Sequence, residues 1–304
     1  MHILISNDDG IQAPGINRLR QSLEEIAQVY VAAPDRERSA TGHQITMHKP
    51  LWAKEYHYPG SNTLGWAIDG MPADCVRLAL DELLPVKPDL VISGINLGPN
   101  LGTDVLYSGT VSAALEASIC GYPAIAVSLA SYESHDFTFA GDFMRLFVTK
   151  FCKLLPKNTL LNINIPSDER KLTPPVAKKT SPAPDAGFFG SGKAATSDAT
   201  GAYSSTQLSD ARKLTPPVAK KTSPAVRITR LGVREYRNVY NKRTHPRGDT
   251  YYWTAGEFYD VDGDKSDTDA WAVNNGYISI TPLQYDLTDY RGLPGVASLF
   301  GDIT

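Results

Sequence analysis

A run of Asn7-Asp8-Asp9-Gly10 follows directly on a short apolar segment, His2 to Ser6. Two carboxylates held about 4 Å apart would repel by about 4 kcal/mol at an effective dielectric of about 20, and a divalent cation that prefers hard oxygen removes that repulsion. An acidic turn capping the next helix is the alternative reading, and the position after a strand favours the cation. A second loop, Asp35-Arg36-Glu37-Arg38-Ser39-Ala40-Thr41-Gly42, offers the Ser39 hydroxyl to a metal or a phosphate and its arginines to an anion. Taken alone, it reads as a solvated charged turn. A third loop, Ser93 to Asp104, carries Asn96 and Asn100 among Gly94, Gly98 and Gly102. That glycine spacing departs from the G-x-G-x-x-G dinucleotide fingerprint, yet it lets the backbone approach a ligand closely. Ser108-Gly109-Thr110 then opens a helix, whose free N–H groups and positive dipole end attract phosphate. Ordinary capping by Ser108 would explain these residues by themselves. The combination of acidic pair, hydroxyl loop, Gly/Asn loop and helix N-terminus specifies a cation facing a phosphate.

Other chemistries lack their residues. There is no H-E-x-x-H and no G-x-S-x-G. Cys75, Cys120 and Cys152 have no zinc spacing and read as buried thiols of a reducing compartment. His43 and His48 flank a strand-like stretch and read as structural or rim residues.

These loops need a frame, and the hydrophobic pattern supplies one. Apolar strands alternate with helical periodicity over about 165 residues, which is the pattern of an α/β domain. Strands are expected at His2–Ser6, Val29–Ala33, Asp89–Ser93, Ala124–Ser128 and Leu160–Ile165. Helices are marked by Ile16, Leu19, Leu23 and Ile26; by Val76, Leu80 and Leu83 behind Pro72; by Val111, Leu115 and Ile119, ending at Gly121; and by inward-facing Phe143, Phe147, Phe151 and Leu154. The expected fold is a doubly wound, mainly parallel, three-layer Rossmann-like sheet, in which ligands bind at the carboxyl ends of the strands. Strands at Val226–Arg230 and Gly276–Pro282 follow, with a hairpin arm over 236–258 that turns at Pro246-Arg247-Gly248-Asp249, and a tail over 283–304.

Residues 170–225 break this pattern. Arg170–Ala183 recurs unchanged at Arg212–Ala225, and the 56 residues hold seven prolines and no Ile, Met or Trp. Such a composition cannot offset about 1 to 2 kcal/mol per residue of backbone ordering, so an inserted, disordered loop is expected between 1–169 and 226–304 of one domain. Gly187 to Lys193 has P-loop spacing, but Ala194 stands where the metal-binding hydroxyl is needed and no strand precedes it. The net charge of -3 divides into a basic insert, with nine Lys/Arg against three Asp/Glu, and an acidic remainder. That remainder argues against long nucleic acid as a partner. No apolar run is long enough for a membrane span, and the opening residues lack the basic region of a signal peptide, so the cytoplasm is the expected location.

Several of these stretches together resemble SurE, the survival protein E family of nucleotidases. They are Ile5-Ser6-Asn7-Asp8-Asp9-Gly10 with Ala13-Pro14-Gly15, Ala33-Pro34-Asp35 with Arg38-Ser39-Ala40, Val91-Ile92-Ser93-Gly94-Ile95-Asn96 with Gly98, Asn100 and Gly102, Tyr107-Ser108-Gly109-Thr110-Val111, and the C-terminal Thr268-Asp269 and Gly276–Leu283. The resemblance implies a metal-dependent phosphomonoesterase acting on nucleoside 5'- and 3'-monophosphates, with some members trimming short polyphosphate. It implies one Mg²⁺ or Mn²⁺ per subunit on Asp8, Asp9, Ser39 and Asn96, with Asp8 or Asp9 as a possible base. Phosphate would sit on Asn100, Ser108, Gly109 and Thr110. It also implies a homodimer or homotetramer built through exchanged C-terminal arms. A phosphate-binding scaffold displaying the insert is the competing reading from another class.

Overall fold

The computed structural model describes residues 1–167, 225–254 and 256–300. The expected insert at 170–225 lies outside the described residues except for Ala225, and its glycine–lysine run lies outside them altogether. The elements run β1 (His2–Ser6), α1 (Pro14–Glu24), β2 (Gln28–Pro34), β3 (Ala53–His57), β4 (Leu64–Ile68), α2 (Pro72–Leu78), β5 (Leu90–Leu97), α3 (Gly109–Ile119) and β6 (Ala124–Leu129). They continue with α4 (Thr138–Phe151), β7 (Leu160–Ile165), β8 (Val226–Ile228), β9 (Arg234–Arg237), β10 (Tyr240–Thr244) and β11 (Thr250–Thr254). The last are β12 (Glu257–Asp260), α5 (Asp269–Asn274), β13 (Ile278–Leu283) and α6 (Leu293–Phe300).

Alternation along β1 explains the layering. Ile3 and Ile5 pack on one face with Ile16, Leu19 and Leu23 of α1 and Met144, Phe147 and Val148 of α4. Leu4 points the other way, to Cys75 and Val76 of α2 and Val111, Ala114 and Ala117 of α3. Because helices cover both faces, the central strands are apolar throughout rather than alternating. The result is the expected three-layer α/β fold. Nine strands lie in the order β3-β4-β2-β1-β5-β6-β7-β13-β8, parallel from β4 through β7, with β3 and β13 antiparallel to their inner neighbours. The chain leaves β1 toward β2 on one side and reaches β5 on the other, so the β1–β5 boundary is the topological switch point where such sheets bind ligands.

Some local expectations are corrected. The stretch between His43 and His48 is irregular, and two missed strands, the edge strand β3 and its neighbour β4, come later. β3 has no buried residue, so it lacks the apolar pattern of a core strand. The helix at Val76 gives way after Leu78 to a π-helical turn, Ala79–Leu83. Phe151 and Leu154 are exposed at 44% and 73%. Phe151 is the last residue of α4, and beyond it a 3-10 turn, Cys152–Leu154, winds three residues per turn and turns Leu154 away from the sheet. Of the cysteines, all free, Cys75 is buried while Cys120 and Cys152 are only partly so. Beyond the sheet, β10 and β11 form a hairpin closed by the anticipated turn, where His245 N–H donates to Asp249 O at 2.7 Å. A second antiparallel pair, β9 with β12, forms its root. No helix among the described residues is long and apolar enough to cross a membrane.

Candidate functional site

Ser6, the last residue of β1, is the register partner of Ser93 in β5, so the Asn7–Gly10 loop leaves the sheet beside the last residues of β5, Asn96 among them. Asn7 closes the first loop: its Nδ2 donates to Gly10 O at 2.9 Å and its Oδ1 accepts the Gly10 N–H at 3.2 Å. Gly10 has φ +100°, and a Cβ there would lie 3.1 Å from the Arg36 carbonyl carbon, so the tight turn requires glycine. Asp8 is 5% exposed. Its carboxylate accepts the Thr110 hydroxyl and lies against Gly109, where an added Cβ would fall 2.7 Å from the Asp8 Cβ. The Asp8 carbonyl accepts the Arg38 N–H at 2.7 Å, which ties the Ser39 loop to the acidic pair.

The electrostatics of the pair are unusual. Among the described residues, neither Asp8 nor Asp9 has a basic side chain in ion-pair range. Burial raises the Asp8 pKa despite the Thr110 hydrogen bond. Burial and then the neighbouring Asp8 charge push Asp9 up to about 7. Glu37, which the sequence reading did not single out as a site residue, adds a third negative charge felt by both.

Asn96 donates its amide to Gly98 O at 2.9 Å, and its Oδ1 has no donor among the described residues. Asp9 accepts only a long bond, 3.4 Å, from the Leu97 N–H. Carboxylate oxygens and a free amide oxygen, with negative charge lacking a partner, form a donor set that fits a hard divalent cation. Ser39 stands apart: it is exposed, and its hydroxyl donates to Glu37 at 2.7 Å. No group of three or more His, Cys, Asp or Glu gathers as a metal cluster among the described residues, so two carboxylates would need amide or hydroxyl oxygens to complete a shell.

The anion side is built differently. Ser108 caps α3, its Oγ accepting the Val111 N–H at 3.1 Å. Gly109 and Thr110 are buried at the first turn, and the Thr110 hydroxyl is engaged by Asp8. Asn100 is 8% exposed, and its Nδ2 donates to Ser128 Oγ at 2.8 Å. Its backbone N–H donates to Asn164 Oδ1 at 2.9 Å, and its carbonyl accepts from Asn162 and Asn164 at 2.8 and 3.0 Å.

Asn162, Asn164 and Ser128 were missed by sequence reasoning. Their signal was present as Asn-Ile-Asn in the otherwise apolar β7, where alternate polar positions mark one face. Also missed was a polar lattice of Asp104, Arg234, Asp260 and Asp269, which no local pattern reveals. His43 proves structural in its bonding, pairing with Glu116 at 2.9 Å.

The family model of the survival protein SurE matches residues 3–182. The 5'-nucleotidase SurE of Pelotomaculum thermopropionicum is 53% identical over 291 residues, covering 96% of this chain and 92% of that protein. That of Desulforamulus reducens is 48% identical over 292 residues, covering 95% of each. The crystal structure of the SurE protein from Aquifex aeolicus aligns with a TM-score of 0.70 at 34% identity, covering 98% of this chain and 99% of that one. A family model over more than half of the chain, relatives along nearly all of it and a shared fold agree: the chain belongs to the SurE family.

Proposed function

We propose that the chain is a 5'-nucleotidase, a metal-dependent phosphomonoesterase that hydrolyses nucleoside 5'- and 3'-monophosphates to nucleoside and phosphate. The observation that carries the reading is the pair of carboxylates lacking a basic partner among the described residues, buried Asp8 against the N-terminus of α3 and half-buried Asp9 beside it, at the switch point. Relatives named 5'-nucleotidase SurE support the substrate class. Asp8, Asp9 and Asn96 would hold one Mg²⁺ or Mn²⁺, and Ser39 would join them once its hydroxyl leaves Glu37. Bound there, the cation supplies neutralising charge and Lewis acidity toward a phosphoryl oxygen and the attacking water.

The chain's own groups perform the rest. The N–H groups of Gly109 and Thr110, the Ser108 hydroxyl and the second amide hydrogen of Asn100 stabilise charge on the equatorial phosphoryl oxygens. The Thr110 hydroxyl orients Asp8, which couples the acidic pair to the anion site through one side chain. Asp8 or Asp9 would accept the proton of the attacking water.

The C-terminal segments fit a homodimer or homotetramer. Tyr240, Tyr252 and Trp253 on the hairpin and Leu287, Tyr290 and Leu299 on the tail are all more than half exposed. Free cysteines fit a cytoplasmic setting. The test is phosphate release from a panel of nucleoside 5'- and 3'-monophosphates and short polyphosphate, with Mg²⁺, Mn²⁺ or chelator, alongside mass by light scattering. Cation-dependent release from monophosphates is expected. Equal release in chelator, or release from polyphosphate alone, overturns the reading.

A further inference from the structure

The phosphate loop is anchored at its two ends by the sheet and by α3, as described above. Between them, Gly102–Leu106 forms a 3-10 turn that is bound from another direction. Asp269, fully buried at the start of α5, accepts N–H groups from Gly102, Gly232 and Ala270, each at 2.8 Å. The Gly102 and Gly232 backbones are close enough that a Cβ on Gly102 would lie 2.9 Å from Gly232 O. Leu101, 1% exposed, packs with Val273 of the same helix.

One step further, the Arg234 side chain is 3% exposed and forks between Asp104 at 3.0 Å and Asp260 at 2.9 Å. Its guanidinium carbon sits 4.1 Å from the centroid of the Phe258 ring. The Tyr236 hydroxyl donates to Asp104 at 2.7 Å, and the Thr103 hydroxyl donates to the Arg234 carbonyl at 2.8 Å. The turn that joins Asn100 to Ser108 is therefore stitched to the C-terminal segment by side chains from β9 and α5.

We propose that Arg234 is a positioning residue for the phosphate loop, acting through Asp104 with Asp269 as the second stitch, so that phosphate affinity is set by the root of the C-terminal arm as well as by the sheet. Arg234 touches no phosphate. It neutralises Asp104 on the turn and Asp260 on β12, which would otherwise repel, and its planar fork fixes the direction of Asp104. Released from that fork, the turn can shift and carry with it the Asn100 and Ser108 groups that it joins, which loosens their hold on phosphate. The inference rests on the reading of Asn100, Ser108, Gly109 and Thr110 as the phosphate site.

The test compares wild type, Arg234→Met, Arg234→Lys and Tyr236→Phe as full chains with Mg²⁺. Three quantities are read: KM and kcat for adenosine 5'-monophosphate, the dissociation constant for inorganic phosphate by calorimetry, and the melting temperature. Arg234→Met is expected to raise KM and the phosphate constant together by about tenfold, with kcat changing by about threefold or less. Arg234→Lys keeps the charge without the fork and should fall between, and Tyr236→Phe should raise both constants by about threefold. A lowered melting temperature with both constants unchanged means that Arg234 only supports the fold, and overturns the proposal. If Arg234→Met does not fold, Tyr236→Phe combined with Thr103→Val decides, and unchanged constants there overturn it equally. A wild type that binds phosphate without turnover defeats the nucleotidase reading and leaves the calorimetric comparison decisive for this one. A wild type that neither binds nor turns over overturns both.

Discussion

The two halves of the site face each other across one strand boundary and are built on opposite principles. On the anion side, the main-chain N–H and C=O of Asn100 are both bonded, its side chain is tied to Ser128, and the helix behind it is capped by Ser108. On the acidic side, buried Asp8 and half-buried Asp9 lie beside each other with no basic partner among the described residues and with Glu37 adding further negative charge. One half has its loop held by hydrogen bonds before any ligand arrives. The other carries repulsion that only an incoming positive charge or proton relieves. Under the proposed function, the difference marks where stability and function part company: preorganised hydrogen bonds would serve both, whereas the carboxylate pair would serve chemistry at the expense of the fold.

The sharpest way to break this comparison is Asp9→Asn. The amide keeps the shape and removes the repelling charge, so phosphate release should fall on the order of a thousandfold, about 4 kcal/mol in the barrier, while the cation-free protein becomes more stable at pH 8. Steady-state phosphate release and thermal melting in chelator measure the two effects. A variant that kept its turnover, or that melted lower than wild type, would show that Asp9 is not under the stress assigned to it.

A pH series sharpens the same contrast without mutation. Asp9 titrates at about 7 in the folded chain, above the ordinary range near 4 for an unfolded carboxyl. Its protonated form is therefore favoured by folding. Its stabilising contribution is complete below about pH 4, declines as the pH rises to about 7, and is gone above that. Asp8 shifts in the same direction. In chelator, the melting temperature should fall between pH 5 and pH 8, and either Mg²⁺ or Asp9→Asn should flatten that fall. A flat profile for the metal-free wild type refutes the assignment.

How far each half was legible in the sequence follows from what each is made of. Asp8 and Asp9 are adjacent in the chain and directly follow a strand, so composition and position exposed them at once. Ser108, Gly109 and Thr110 were legible because a helix start is a local event. The sheet itself was legible because Ile3, Leu4 and Ile5 belong to an apolar strand buried on both faces. What escaped was held together over long sequence separations. Asp269 bonds to Gly102 across 167 positions, and Arg234 pairs with Asp104 across 130, and neither spacing leaves a periodic trace. β3 escaped for the opposite reason, since an exposed edge strand has no apolar stripe to read. Leu154 was misread because the α-helix gives way to 3-10 winding after Phe151, and that rotates the face without leaving a mark in the spacing of the apolar residues.

On the anion side, Asn164→Leu tests whether the bonding described is what fixes the loop. The substitution leaves the Asn100 N–H without its acceptor and removes one of the two donors to the Asn100 carbonyl, in a setting where Asn164 is fully buried. An unsatisfied buried amide costs about 1 to 3 kcal/mol, so a melting temperature lower by several degrees is expected, with a higher KM and little change in kcat. An unchanged KM would detach Asn100 from phosphate binding.

The smallest effect is expected at Ser108, and it separates two roles for one hydroxyl. As a cap, its Oγ accepts the Val111 N–H, and loss of that bond in Ser108→Ala costs about 1 kcal/mol of stability. Ser108→Asn restores a capping oxygen without restoring a hydroxyl donor at the same place. If Ser108 only caps α3, the asparagine variant recovers both the melting temperature and KM. If the hydroxyl also donates to the phosphate, the asparagine variant recovers stability while its KM stays raised by a few fold, because the capping bond and the phosphate bond make different demands on the same atom. Melting curves and KM measured on the two variants decide between these outcomes. A KM that tracks the melting temperature in both variants would remove Ser108 from the phosphate site and leave the N–H groups of α3, with Asn100, to carry the anion.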